Sequence, residues 1–147
     1  MQDLLRNAAI DYVGAAIAAS STIDGNSTRL DMSGYDTVIF MTTITDSTDT
    51  GTATLTVEEN SADSDTGMTA ITGAATTATS AADDDLNNEL LIVQVVKPRE
   101  RYVQGVRTSA TANAAYGEII AIRFKVRKAP VTQSTTTVAA STTVVGT

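Results

Sequence analysis

The residues able to do chemistry in this chain are mostly carboxylates. Asp63-Ser64-Asp65-Thr66-Gly67 has the D-x-D-x-G opening of a calcium loop, in which alternate acids supply hard oxygen ligands. A helix–loop–helix site also needs a glutamate at the twelfth position, which here is Ala74. A polar hairpin loop is the better reading. Asp83-Asp84-Asp85 offers a second acidic cluster, which reads better as a solvated loop than as a cation site. Glu58 and Glu59 are a carboxylate pair of the sort that flanks a glycosidic bond. On a strand, adjacent residues point to opposite faces, so these two cannot address one bond. Lys97, Lys125 and Lys128 provide the base for a Ser–Lys dyad, but none lies beside a recognisable nucleophile signature.

The missing residue types narrow the chemistry further. The chain has no His, no Cys and no Trp. It therefore lacks an imidazole that titrates near neutral pH, and a thiolate for nucleophilic attack or soft-metal binding. Two Phe and four Tyr make a poor platform for stacking sugars. The expectation is a binding or structural protein with no catalytic residues, no cofactor and no metal.

At 147 residues the chain is the size of one domain. A domain of that size buries roughly two-thirds of its unfolded surface and needs no disulfide staples. Met1–Arg6 makes a poor signal peptide, since the apolar stretch Tyr12–Ala19 that follows is short and preceded by Asp11. No segment approaches the roughly 20 apolar residues of a membrane helix. The net charge of −7 is unevenly placed. Asp24 to Glu89 holds thirteen acids and one base, Arg29, whereas Lys97 to Lys128 holds eight bases and two acids. These stretches are either two solvated faces or complementary docking surfaces, basic strands of one copy meeting acidic loops of a neighbour. Nucleic acid is not expected as a partner, because the whole chain is acidic and its basic stretch has few aromatics.

Alternating apolar and polar residues predict strands. Thr52–Val57 turns Ala53, Leu55 and Val57 one way and three threonines the other. Glu118–Arg127 reads as a strand with Ile120, Ile122, Phe124 and Val126 inward and Ala121, Arg123, Lys125 and Arg127 outward. Thr37–Thr45 and Leu90–Val96 are more continuously apolar, as strands buried on both sides or against a neighbour would be. Arg101–Thr108 and Asp11–Ala19 are further strands. The small-residue loop Ala110–Gly117 suggests that strands 101–108 and 118–127 form a hairpin. Gly73–Asp85 reads as a long loop with room for a short helix. After Pro130 the chain is uncharged and rich in Thr, Val, Ala and Ser. Such a segment is either a mobile tail or an extended arm that orders on a partner. The expected organisation is an N-terminal arm over 1–10, a β-sandwich over 11–129 and a Thr-rich tail or arm over 130–147.

Four stretches together resemble a known family. They are Asp31-Met32-Ser33-Gly34-Tyr35-Asp36-Thr37-Val38, the strand Ala53–Val57 running into Glu58–Asp63, Arg101-Tyr102-Val103, and the closing Arg127-Lys128-Ala129-Pro130. In layout they are similar to the jelly-roll decoration, or cement, proteins of tailed bacteriophage capsids. The resemblance spans Tyr12 to Pro130, and the long tail departs from it. It implies an all-β jelly-roll sandwich acting as a homotrimer on the outer capsid surface, bound to the major capsid protein after assembly in the host cytoplasm. A cement protein needs adhesive area repeated in many copies, not chemistry. The candidate interface is then basic: Arg123, Lys125, Arg127 and Lys128, with Arg99, Arg101 and Tyr102. Tyr35, Tyr102 and Tyr116 serve as core edges or as interface anchors. Two other readings stay open: a head–tail connector or tail protein, and a cell-surface adhesion or carbohydrate-binding module.

Overall fold

The computed structural model describes residues 7–125 and 138–145, and these form an all-β sandwich. The strands are β1 (Ala8–Gly14), β2 (Ile17–Ser20), β3 (Asp24–Asn26), β4 (Leu30–Asp31), β5 (Thr37–Ser47) and β6 (Thr52–Asn60). They continue with β7 (Thr69–Thr79), β8 (Leu90–Val96), β9 (Tyr102–Ala110), β10 (Ala114–Phe124) and β11 (Val138–Val145). One sheet runs β1-β10-β5-β8-β11, with β2 also on β10; the other runs β3-β9-β6-β7, with β4 also on β9. All pairings are antiparallel except β11 on β8, which is parallel.

The core lies between the sheets and follows the period-2 rule. Val38, Phe40 and Ile44 of β5, Leu55 and Val57 of β6, and Leu91, Val93 and Val95 of β8 are fully buried. Two close contacts set the sheet separation. A Cβ on Gly105 of β9 would lie 2.8 Å from Ile119 Cδ1 and 3.0 Å from Phe40 Cδ1, so the absent side chain admits both neighbours. The Tyr116 hydroxyl of β10 reaches the far sheet, donating to Thr108 O (2.5 Å) and accepting from Thr54 N (2.9 Å). Burial pushes this phenol up to about 12, so it remains a donor at any ordinary pH. Tyr116→Phe leaves the partly buried Thr108 carbonyl and Thr54 amide without their hydroxyl partner. It is expected to cost about 1–3 kcal/mol in urea unfolding, with an unchanged m-value.

Three expectations from the sequence are corrected. The inward face of β10 is the opposite of the one predicted: Ile119 and Ala121 are fully buried, while Ile120 is 37% exposed. Register shifts between Ala115 and Ile119 change the strand's parity, so the core positions move from Tyr116 to the odd-numbered residues. The doublet Ile119-Ile120 offers an apolar side chain to either face, so alternation alone selects neither. Secondly, the predicted hairpin of strands 101–108 and 118–127 does not form. β9 and β10 lie in different sheets, and the turn between them crosses the sandwich. Thirdly, Gly73–Asp85 is not a long loop, because β7 continues to Thr79 with Ala74, Thr76 and Ala78 turned inward. Small Ala side chains suit this position because β11 and β8 pack close to β7.

The segments assigned as arms contribute strands. Ala8–Ile10 belongs to β1, paired with Ile122–Phe124, and Val138–Val145 of the Thr-rich segment is β11. Ala140 and Val144 of β11 pack against the core.

Candidate interface at the arginine-rich end of the sandwich

The end of the sandwich where β9 starts and β4 and β10 finish gathers arginines from distant parts of the chain around Asp31. Arg101 clasps Asp31 with two bonds, Nε–Oδ1 at 2.9 Å and Nη2–Oδ2 at 2.7 Å, and stacks 5.3 Å above the Tyr102 ring. Arg123 makes the same two-pronged contact with Asp11 of β1, at 3.0 and 3.1 Å. Its third nitrogen donates to Asp31 O at 2.6 Å, and its plane lies 4.7 Å from the Tyr35 ring centre. Arg101, with Tyr102 beneath it, and Arg123 thus gather around Asp31. Arg123 is not part of an outward basic stripe, however: the parity change in β10 turns it to the inner side, where its side chain is 15% exposed.

Arg99 belongs to the loop that joins β8 to β9. The Glu59 carboxylate shapes that loop, accepting from Arg99 N at 2.9 Å and Glu100 N at 3.2 Å. Lys97, at a left-handed φ of 54°, donates its amide to Asp36 O at 2.5 Å. Between this loop and the turn Met32–Asp36 lies an open cleft of about 430 Å³, lined by Tyr35, Pro98, Arg99 and Arg101 among others. Lys125 is exposed just beyond β10. Arg127 and Lys128 lie outside the described residues.

The carboxylates of the sequence motifs have structural partners. Asp63 and Asp65 of the D-x-D-x-G loop both bind the Arg29 guanidinium, through Nε at 2.7 Å and through Nη1 respectively. Both acids of the motif are thus engaged by one cationic side chain. Gly67 takes a φ of +92° in this loop, a conformation that favours glycine. Glu58 and Glu59 do part to opposite faces: Glu58 accepts from Gln104 Nε2 at 2.9 Å, while Glu59 holds the 99–100 loop. Asp85 accepts from Ser80 Oγ (2.7 Å) and Ala81 N (2.8 Å), bonds that pull its pKa down and close the β7–β8 loop.

Sequence reasoning missed Asp11, Asp31, Glu59 and Arg107 as organising residues. Arg107 had counted as one of the basic stretch, yet it is only 2% exposed and donates Nη1 to Ala15 O and Gly117 O. Its burial lowers its pKa. The available signal was its place in β9, two residues from Gly105 and Ser109 on the inward parity.

The Arg101 hydrogen bonds, helped by Ser33 N, hold the Asp31 carboxyl down at about 2, against an ordinary 3.8. The folded value is the lower one. The pair's contribution is therefore complete above about pH 4 and disappears as pH falls toward 2. Asp31→Asn is expected to flatten the acid limb of the melting temperature within that window, lowering it most above about pH 4, pH 7 included, and converging on the wild type near pH 2. Thermal melts at stepped pH check this.

No protein-family model matches the chain, and no curated protein sequence matches it. Among solved structures it is similar to XepA, an exported protein of PBSX, with a TM-score of 0.52 and 15% identity. The alignment covers 91% of this chain and 42% of XepA, so the chain spans less than half the length of that protein. At this identity the likeness shows the fold. A second structure, Eiger TNF from S. frugiperda, aligns at a TM-score of 0.37 and 10% identity, over 83% of this chain and 99% of the other.

Proposed function

We propose that this chain is a structural protein of a phage particle, and that it acts as a cement on the outer capsid surface. The observation that carries this reading is the β-sandwich it shares, over 91% of its length, with part of a PBSX exported protein. The strand order adds support. Chain segments alternate between β1-β10-β5-β8 and the facing β3-β9-β6-β7, as successive strands of a jelly roll do. The resemblance in the sequence points the same way.

In this role the chain works by adhesion and without catalysis. Several copies, as a homotrimer, grip the major capsid protein across a joint between capsomers, and weak contacts multiply into firm retention. The arginine-rich end offers a shaped surface for that grip, with exposed Lys125 and the cleft beside Arg99. Quantitative mass spectrometry of purified particles tests the reading. A cement protein is expected in many copies, in a fixed ratio to the major capsid protein. Absence from the particle overturns the virion reading, and a handful of copies points to a connector or tail component instead.

A further inference from the structure

The two outer faces of the sandwich differ sharply. On the β3-β9-β6-β7 sheet the outer face carries hydroxyls, with Thr77, Thr54 and Thr108 in one cross-strand row and Thr54 Oγ1 2.7 Å from Thr77 Oγ1. On the other sheet the corresponding rows are apolar. Tyr12, Ile120, Met41 and Ile92 stand side by side across four strands, and the next row places Ile10, Ile122 and Ile39 beside Gln94. No charged side chain interrupts these rows. Tyr12 is 66% exposed, Ile10 50% and Ile120 37%.

We infer that this outer face of the six-stranded sheet is the surface through which copies of this chain associate with one another. Sheet spacing sets the area: four strands about 4.8 Å apart, over about six residues each, present roughly 400 Å². Two such faces stacked together bury roughly 800 Å², and rim contacts supply the remainder of the roughly 1,000 Å² that a specific interface needs. Isolated apolar residues on a surface need no cover, whereas a continuous patch of this size is often a functional contact surface. Charge favours a second copy as the cover. Copies that each carry −7 repel one another over most of their surface, and within these two rows they can meet without like charges facing each other, the exposed Glu118 of β10 lying at the border. Tyr12 supplies the large aromatic anchor typical of such contacts.

Sedimentation velocity of the full chain at micromolar concentration, with Tyr12→Glu/Ile120→Glu beside it, tests the inference. The wild type is expected at a multiple of the single-chain mass. The double variant should run as a single chain with an unchanged far-ultraviolet spectrum, its self-association weakened at least about 100-fold by the burial of unpaired charge. Thr79→Glu, on the hydroxyl face, should keep the wild-type mass. Tyr12→Lys repeats the test with a milder change on an edge strand, should the double variant fail to fold. A wild type that stays a single chain overturns the inference, as does a folded face variant that keeps the wild-type mass. This inference deepens the homotrimer of the proposed function, yet self-association through this face requires no capsid: its failure removes the free homotrimer but leaves a virion protein standing, and absence from particles leaves the face untouched.

Discussion

Phe40→Ala is expected to lower stability by about 3–5 kcal/mol, the range for removing a buried aromatic ring without collapse of the site. Collapse is hindered here. Phe40 is fully buried on β5, and its ring lies over Gly105 of the opposite sheet beside Ile119. The sheets are pinned around it by the Tyr116 hydroxyl and by continuous pairing on both sides, so they cannot close into the void. Gly105 has no side chain with which to fill it. Urea titration should show a lower midpoint at an unchanged slope. A loss below about 1 kcal/mol would mean that the sheets slide together, and that the Phe40–Gly105–Ile119 contact does not set their spacing. Gly105→Ala approaches the same contact from the other side, with a methyl group arriving 2.8 Å from Ile119 Cδ1. Its cost should be smaller, since the ends of side chains can give way.

Arg123→Ala is the second large effect, expected at about 2–3 kcal/mol. The guanidinium joins three parts of the chain: Asp11 on β1, the Asp31 carbonyl on β4, and the Tyr35 ring in the turn that leads to β5. Its removal leaves Asp11 without its two-pronged partner in a partly covered site. Fully buried pairs cost about 3–5 kcal/mol when broken. The lower figure applies here because the Asp11 side chain is 27% exposed and water can replace part of the contact. Arg123→Lys keeps the charge but loses the planar fork and the stacking, so it should recover less than half of the loss. A double-mutant cycle with Asp11→Ala isolates the pair, and a coupling near zero would show that Tyr35 and Asp31 O carry the effect instead.

Both residues show what was readable in the chain and what was not. Thr52–Val57 and Leu90–Val96 announce themselves as strands because side-chain alternation is a local property of the pleated backbone. The missing His and Cys, and the opposite faces of Glu58 and Glu59, are equally local. An all-β sandwich was therefore legible. The arrangement of the arginines was not legible. Arg101 and Arg123 both reach Asp31, but the carboxylates that hold them, Asp11 and Asp31, lie 112 and 70 residues from their arginines. Nothing in the spacing marks those pairs.

Tertiary structure alone decided three matters, each for the same reason. The parity of β10 depends on register shifts against β5, which its own residues do not encode, since Ile119 and Ile120 suit either face. The separation of β9 from β10 depends on which strands pair across the sandwich, a competition settled by long-range contacts. The apolar outer face exists because that parity turns Ile120 and Ile122 outward beside Tyr12, Ile10, Met41 and Ile39. By itself the sequence determined where the strands are and which chemistry is missing, because those follow from residue type and local period. Which face meets the core, which arginine is clasped and which outer surface is left apolar follow from pairing between distant strands, where a shift of one residue inverts every side chain.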